Sequence, residues 1–253
     1  MIAFDIETIP NAAVVRDALG LEGTDIEVVR EFARRRLEET SGRSEYPALP
    51  WHRVVTVCVT IIDPASGRVE VRSLGGELMD ERSYVQGFFD FVGSFPTRPR
   101  LVSWNGGGFD IPVMRYRAMA LGVPAVAFYR DNDYLNRYHE LHVDLMDVLS
   151  GYGASSRAGL EAVAASMGIP AKRFLERSII EHTLDGDAAA LESYCKLDTV
   201  TTMLVFLAWA FHVGRLSRPE LDGYTAALRA ELSHQSDSRW HEISSVLENW
   251  PRW

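Results

Sequence analysis

Two acidic residues one position apart stand near the start of the chain, in Asp5-Ile6-Glu7. They follow the apolar Ile2-Ala3-Phe4, which favours a short buried strand over residues 1–6. Because residues i and i+2 of a strand point to the same face, both carboxylates would project together from the strand end. Such a pair suits a hard divalent cation, and buried carboxylates need a partner of this kind. The tripeptide recurs as Asp25-Ile26-Glu27, but in a polar helical stretch that favours a solvated surface.

Two further patterns contain side chains that could act with this pair. Asn105-Gly106-Gly107-Gly108-Phe109-Asp110 lies between a predicted strand and a predicted helix, and its glycines allow a sharp turn and close approach of a substrate. Tyr194 and Asp198, spaced i, i+4, share one face of a predicted helix. Each pattern alone has an ordinary structural interpretation, a helix-capping Asp110 or a half-buried tyrosine near a surface aspartate. The three patterns together are more specific than any one of them.

In this order, Asp-x-Glu, Asn-x-x-x-Phe-Asp and Tyr-x-x-x-Asp resemble exonuclease motifs I, II and III of the DEDD superfamily, and the tyrosine is typical of its y-type branch. The chain resembles the proofreading exonuclease of family-B DNA polymerases, and in particular predicted stand-alone bacterial exonucleases of that type. The likeness covers residues 1 to about 210 and extends to three segments between the motifs, residues 52–55, 142–147 and 159–172. It implies a ribonuclease-H-like α/β fold, a mixed five-stranded sheet flanked by helices.

The resemblance also implies a role for each motif residue in a metal-dependent 3′→5′ exonuclease that releases nucleoside 5′-monophosphates. Asp5, Glu7 and Asp198 would hold one Mg²⁺ or Mn²⁺ ion, and Asp5 and Asp110 would hold a second. Tyr194 would orient the attacking water. Three residues would seat the terminal nucleotide, although each has a structural alternative, such as a core position for the phenylalanine: Thr8, Asn105 and Phe109.

One competing assignment comes from the h-type branch, whose third motif is His-x-x-x-x-Asp. His139 and Asp144 have this spacing, but they flank a predicted strand and share no helical face. Ser193 occupies the corresponding position before Asp198, so the y-type assignment is preferred. Tyr129 and Asp133 repeat the i, i+4 spacing only in a polar, turn-like stretch.

Other polar residues have plainer interpretations. Asp144 is expected to cap a helix, with a catalytic role as the less favoured alternative, and His182 is expected to be structural. Three basic residues are candidate phosphate contacts, although basic residues beside a helix are usually only solvated: Arg157, Lys172 and Arg173.

The elements that must position these residues follow from periodicity and turn signals. Predicted strands cover residues 1–6, 54–62, 69–74, 100–104 and 141–143, the second and third forming a hairpin. Predicted helices cover residues 80–92, 110–121, 144–149, 157–167, 187–209 and 218–233, and Ser155 and Ser156 are candidate N-caps for the fourth. Residues 13–39 look like an exposed helical insertion, followed by a loop to residue 50. We expect an exonuclease domain over residues 1–210 and a helical extension, residues 211–253, packed on it.

Composition limits the class of protein and its partners. The chain has 253 residues, ordinary apolar content, two cysteines without metal-ligand spacing, and no secretion-signal pattern, so a soluble cytoplasmic protein with free thiols is expected. The net charge of −9 argues against strong duplex binding, because proteins that grip long nucleic acid are usually basic. The expected partner is the 3′ end of single-stranded nucleic acid, with DNA preferred to RNA. An RNA exonuclease of the same fold and a catalytically inactive nucleic-acid-binding module are the alternatives.

Overall fold

The computed structural model describes residues 1–75, 80–131, 133–169, 178–234 and 238–251. Its five strands form one mixed sheet in the order β3-β2-β1-β4-β5. Their bounds are β1 (Ile2–Pro10), β2 (His52–Ile62), β3 (Val69–Ser73), β4 (Leu101–Ser103) and β5 (His142–Asp144). Strand β2 is antiparallel to β1 and β3, whereas β4 and β5 are parallel to β1. This is the predicted ribonuclease-H-like arrangement, and the predicted hairpin is β2–β3.

Helices lie on both faces of the sheet. They are α1 (Ala12–Leu19), α2 (Asp25–Glu39), α3 (Glu81–Gly93), α4 (Asp110–Leu121), α5 (Val126–Tyr129), α6 (Leu145–Leu149), α7 (Leu160–Ser166), α8 (Ile179–Leu184), α9 (Ala188–His212), α10 (Arg218–Ser233) and α11 (Ser238–Leu247). The bounds of α4 and α10 are those predicted. Helix α8 was not predicted. The N-cap of α7 is Gly159 rather than Ser155 or Ser156, because the Ser155 hydroxyl donates to the Ser150 carbonyl of the preceding turn.

The alternation of β1 separates its apolar residues from its acidic ones. Ile2, Phe4 and Ile6 pack into a core cluster with residues of α3 and α4. Ala3 belongs to the cluster on the opposite face, which contains α9. Since alternate residues of a strand share a face, Asp5 and Glu7 lie on the α9 side of the sheet. The sequence prediction that both carboxylates project together from this strand is thereby confirmed.

The insertion is helical, as predicted, but it is not simply exposed. Val15 in α1 and Phe32 in α2 are buried in a third apolar cluster with Ile9 of β1 and Ile180 of α8. The apolar positions of the insertion, spaced to form one face of each helix, therefore cover the end of β1.

Helix α9 is long and apolar enough to cross a membrane by length and composition alone, but 78% of its most apolar window is buried inside the fold. It packs on β1 and β2, and α10 packs on β3 and α9. Trp240 and Trp250 are buried in the same cluster as α9, so residues after 213 contribute to this core. The division at residue 210 stays a prediction. Lys172, Arg173 and Trp253 lie outside the described residues.

Candidate active site

The acidic pair of β1 is accompanied by a cysteine from α9. Ligand atoms of Asp5, Glu7 and Cys195 all lie within 4.8 Å of one another. The β1–β2 register shifts between Glu7 and Thr8, an irregularity of the kind often found beside active sites. Asp5 and Glu7 are both half-buried, so their carboxylates are confined yet accessible.

Cys195 fixes α9 against β1 without adding a ligand for a hard cation. Burial raises the pKa of its thiol well above the ordinary value, with the Cys58 thiol and the charges of Asp5 and Glu7 adding to the shift. The neutral thiol donates toward the Asp5 carbonyl at 3.4 Å and toward Asp5 Oδ2 at 3.6 Å. These contacts hold the α9 turn that carries Tyr194 and Asp198 beside the β1 carboxylates. Both cysteines are free, as predicted.

Asp110 joins the cluster from the N-terminus of α4. Its Oδ1 accepts a hydrogen bond of 3.2 Å from the Ile6 N–H, between the two acidic positions of β1. Burial and, to a smaller extent, the nearby charges of Asp144 and Asp198 raise its pKa to about 7, against two backbone hydrogen bonds that lower it. Asp198 is itself buried on α9, three residues after the Cys195 that contacts Asp5, and its charge contributes to this shift. Four carboxylates from β1, α4 and α9 therefore converge.

The donor set fits hard divalent cations. It consists of carboxylate oxygens, which Mg²⁺ and Mn²⁺ prefer, and the one thiol among them stays protonated. Burial is the main cause of the raised pKa of Asp110, and the repulsion from Asp144 and Asp198 that adds to it is of the kind that a bound cation offsets. Tyr194 is half-buried one helical turn before Asp198, and it packs against the cluster that contains Ile9.

The loop before α4 is held by Asp144, which the sequence predicted to be a helix cap, with a catalytic role as the less favoured alternative. Asp144 does cap α6, accepting from the Met146 N–H at 3.2 Å. It also accepts hydrogen bonds of 2.9 Å from the backbone N–H groups of Asn105 and Gly107. The left-handed residue of the loop is Asn105, at φ 63°, and a Cβ at Gly106 would collide with the Ser103 side chain. We call these two hydrogen bonds the Asp144 clamp. No local sequence pattern predicted it, because Asn105 and Gly107 lie 39 and 37 positions before Asp144 in the chain.

A cleft of about 490 Å³ opens beside the acidic pair. Glu7, Thr8 and Phe109 line one side of it, and residues 44 and 46–49 of the insertion line the other. Thr8 Oγ1 lies 2.8 Å from His52 Nδ1, and the Phe109 ring meets the His52 ring edge-on at 5.1 Å. Burial lowers the pKa of His52, which therefore contributes a neutral polar ring. Two of the three predicted substrate-binding residues thus share this cleft, while Asn105 lies at the clamped start of the loop.

The rejected candidates lie elsewhere. Asp25 pairs with Arg16 at 2.6 Å and Glu27 completes the capping box of α2, both on the surface as predicted. Asp133 pairs with Arg98, outside the helix that holds Tyr129. His139 accepts from the Leu141 N–H and shares no helix with Asp144. His182, given no partner from sequence, lies 3.1 Å from Asp187.

The chain was compared with protein-family models, curated proteins and solved structures. A family model described as a predicted 3′-5′ exonuclease related to the exonuclease domain of PolB matches residues 44–250. No curated protein matches the chain. Among solved structures, the family B DNA polymerase from the hyperthermophilic archaeon Pyrobaculum calidifontis is similar at 21% identity and a TM-score of 0.49, over 92% of this chain and 28% of the polymerase. The family match begins after Asp5 and Glu7, so their place in the site rests on the geometry above. The family model matches most of the length of this chain, which therefore belongs to the predicted 3′-5′ exonucleases related to the exonuclease domain of PolB.

Proposed function

We propose that this protein is a metal-dependent 3′→5′ exonuclease that removes nucleoside 5′-monophosphates from single-stranded DNA. The observation that carries the proposal is the convergence of the Asp110 carboxylate with those of Asp5, Glu7 and Asp198. Burial, with the nearby charges of Asp144 and Asp198, raises the pKa of Asp110 to about 7. A purely structural site gains nothing from such repulsion, since buried carboxylates without a compensating charge destabilise a fold. Perturbed carboxyl groups beside a cleft are typical of catalytic sites.

In this proposal each motif residue has a defined task. Asp5, Glu7 and Asp198 would hold one ion, and Asp5 and Asp110 would hold another. Two such ions, when bound, would activate water and stabilise the attacking and leaving oxygens. Tyr194 orients the attacking water through its hydroxyl.

The terminal nucleotide lies in the cleft beside Glu7. Thr8 and Phe109 form its inner side, and the half-buried Tyr46 stacks on His52 with ring centroids 5.9 Å apart. The backbone around Asn105, fixed by Asp144, positions the adjoining loop. Residues 44 and 46–49 of the insertion, which line the other side of the cleft, would shield the base and sugar of the terminal nucleotide from water.

The test uses 5′-labelled single-stranded DNA and RNA oligonucleotides with Mg²⁺, Mn²⁺ or EDTA. The wild-type protein should shorten DNA from the 3′ end only with metal, and Asp5→Ala and Asp198→Ala should abolish the ladder. Asp25→Ala is a matched control, because Asp25 belongs to the same tripeptide but lies on the exposed surface of α2. Faster cleavage of RNA would reassign the substrate.

A second readout does not depend on turnover. Mn²⁺ should raise the melting temperature of the wild-type protein and of Asp25→Ala, and it should leave that of Asp5→Ala unchanged, since a ligand that binds only the folded state stabilises it. An absence of cleavage, or cleavage that survives both Asp5→Ala and Asp198→Ala, would contradict the proposal and favour an inactive binding module.

A further inference from the structure

A second cavity, of about 320 Å³, lies beside the same loop and has a different character. The loop contributes to both clefts: Phe109 lines the first, and Asn105, Gly107 and Gly108 line the second. Gly107 and Gly108 are exposed there, so backbone rather than side chains faces an entering molecule. The two cavities therefore adjoin through this loop.

Three arginines line this second cavity, Arg115, Arg137 and Arg157. Arg137 and Arg157 each place one terminal nitrogen on Asp147, at 2.7 and 2.8 Å. Each guanidinium carries five N–H donors, so this shared carboxylate uses only part of their capacity. Asp147 is nearly buried, and both arginines are close to half exposed.

The other polar groups of the wall do not cancel this charge. The carboxylate oxygens of Asp144 accept hydrogen bonds from backbone N–H groups of the loop and do not pair with the arginines. Burial lowers the pKa of His142, which stays neutral between Ser103 and the Tyr134 carbonyl. Three arginines against two aspartates leave the lining positive, in a chain whose net charge is −9.

Two exposed tyrosines stand next to these arginines. The rings of Tyr138 and Tyr152 contact each other with centroids 4.8 Å apart, and 69% of Tyr138 is exposed to solvent. The Arg137 guanidinium lies 5.8 Å from the Tyr138 ring and 5.5 Å from the Tyr152 ring. Aromatic rings beside a positive groove are the combination that binds single strands, because bases stack on the rings while the groove follows the phosphates.

We propose that Arg115, Arg137 and Arg157, with Tyr138 and Tyr152, form a binding subsite for the single strand on the 5′ side of the terminal nucleotide. The arginines take a backbone phosphate and Tyr138 takes an unstacked base. The inference rests on the proposed exonuclease function for its direction, since the 3′ end must lie in the first cleft. It gives a mainly acidic protein a local means of holding nucleic acid.

Binding is measured first, separately from catalysis. In an Asp198→Ala background, fluorescence anisotropy follows a labelled 12-nucleotide single strand across a series of salt concentrations. Adding Tyr138→Ala should weaken binding about tenfold, and Tyr138→Phe should restore it because the ring is kept. The pair Arg137→Gln/Arg157→Gln should also weaken binding and reduce the salt dependence by about 0.7 in log–log slope for each phosphate that the protein no longer neutralises. Arg68→Gln is the matched control, since Arg68 is 74% exposed beside β3, at the opposite edge of the sheet.

Kinetics in the active protein give the second arm. Tyr138→Ala should raise KM for the 12-nucleotide strand more than it raises KM for a dinucleotide, which offers the subsite fewer nucleotides. If Tyr138→Ala and the double arginine variant both bind the strand as tightly as the wild type does, and the protein degrades DNA, the subsite proposal is wrong and the proposed function stands. Weakened binding by these variants in a protein that cleaves nothing would keep the subsite and remove the exonuclease function. No strand binding by any form would overturn the subsite.

Discussion

The Asp110 carboxyl group lies where burial, helped by the charges of Asp144 and Asp198, raises its pKa to about 7. A carboxyl group whose pKa is raised by folding binds more protons in the folded state between pH 4 and 7. The free energy of unfolding therefore falls as pH rises through this window. In EDTA, Asp110→Asn should be more stable than the wild type at pH 8, by on the order of 2–4 kcal/mol, and similar to it at pH 4.

Denaturant unfolding at several pH values measures this difference. Asp17→Asn, an exposed substitution on α1, serves as the control and should change little. Mg²⁺ should reduce the advantage of Asp110→Asn at pH 8, because a bound cation offsets the same repulsion. A difference between variant and wild type that does not depend on pH would contradict this account.

Asp144 is expected to act as a positioning residue for the motif II loop. Asparagine at this position can accept from only one of the Asn105 and Gly107 N–H groups, and its amide group opposes the other with a donor. Asp144→Asn should lose about 1–3 kcal/mol of stability. It should lower kcat/KM by about 10–100-fold through misplacement of the loop.

The control is Asp63→Asn, since Asp63 also accepts from a backbone N–H, that of Ala65, but in the distant β2–β3 turn. A comparable loss of stability with full exonuclease activity would restrict Asp144 to a purely structural role.

The contrast between Asp5 and Asp144 shows what the sequence can predict at this scale. The shared face of Asp5 and Glu7 follows from strand periodicity alone, and the structure has it. The clamp at Asp144 depends on a bond to a residue 39 positions away, which no local pattern encodes. The same holds for the contact of Cys195 with Asp5, across 190 positions.

At the scale of elements, a buried ion pair ties α4 to α3 and β2. Arg117 binds Glu81 through two hydrogen bonds of 2.7 and 2.8 Å, and Glu81 Oε1 also accepts from the Val54 N–H. Arg117→Gln should cost about 3–5 kcal/mol, because it leaves a buried carboxylate without its cation. Because α4 carries Asp110, the variant should also lose exonuclease activity at temperatures above its own, lowered midpoint of unfolding.

Arg34→Gln is the matched control, because Arg34 pairs with Glu31 on the exposed side of α2, where an ion pair contributes little, so the variant should lose little stability. The double variant Glu81→Met/Arg117→Met should recover much of the loss, as apolar replacement of a whole buried pair often does. Equal losses for Arg117→Gln and Arg34→Gln in thermal or denaturant unfolding would contradict this assignment.

Element prediction succeeded where a pattern is long and ends in clear signals. The bounds of α4 and α10 agree with their predictions, and α10 begins with a complete capping box at Ser217. Helix α8 is only six residues long and was missed, although Ser178 and Glu181 also form a capping box. The insertion was recognised as helical, but its part in the wall of the cleft depends on tertiary packing of residues 44–49.

At the scale of the whole molecule, the C-terminal helices and the sheet share one core. Leu228 of α10 is fully buried in the cluster that contains Val102 of β4 and Leu204 of α9. The Trp250 Nε1–H donates 2.9 Å to the Met167 carbonyl, which joins the tail to the end of α7. These contacts predict that α10 and α11 unfold together with the sheet rather than as a separate extension.

Leu228→Ala should therefore destabilise the entire molecule by about 2–5 kcal/mol, the range for loss of a buried leucine side chain. Native-state hydrogen exchange should show faster global opening of the β1 and β2 amides as well as those of α10, because a shared cooperative unit opens as a whole. Leu19→Ala, at an exposed leucine near the end of α1, is the control and should leave these amides unchanged. If only the amides of α10 and α11 exchange faster, the residues after 210 form an independent unit. The stability of the carboxylate site formed by Asp5, Glu7, Asp110 and Asp198 would then not depend on them.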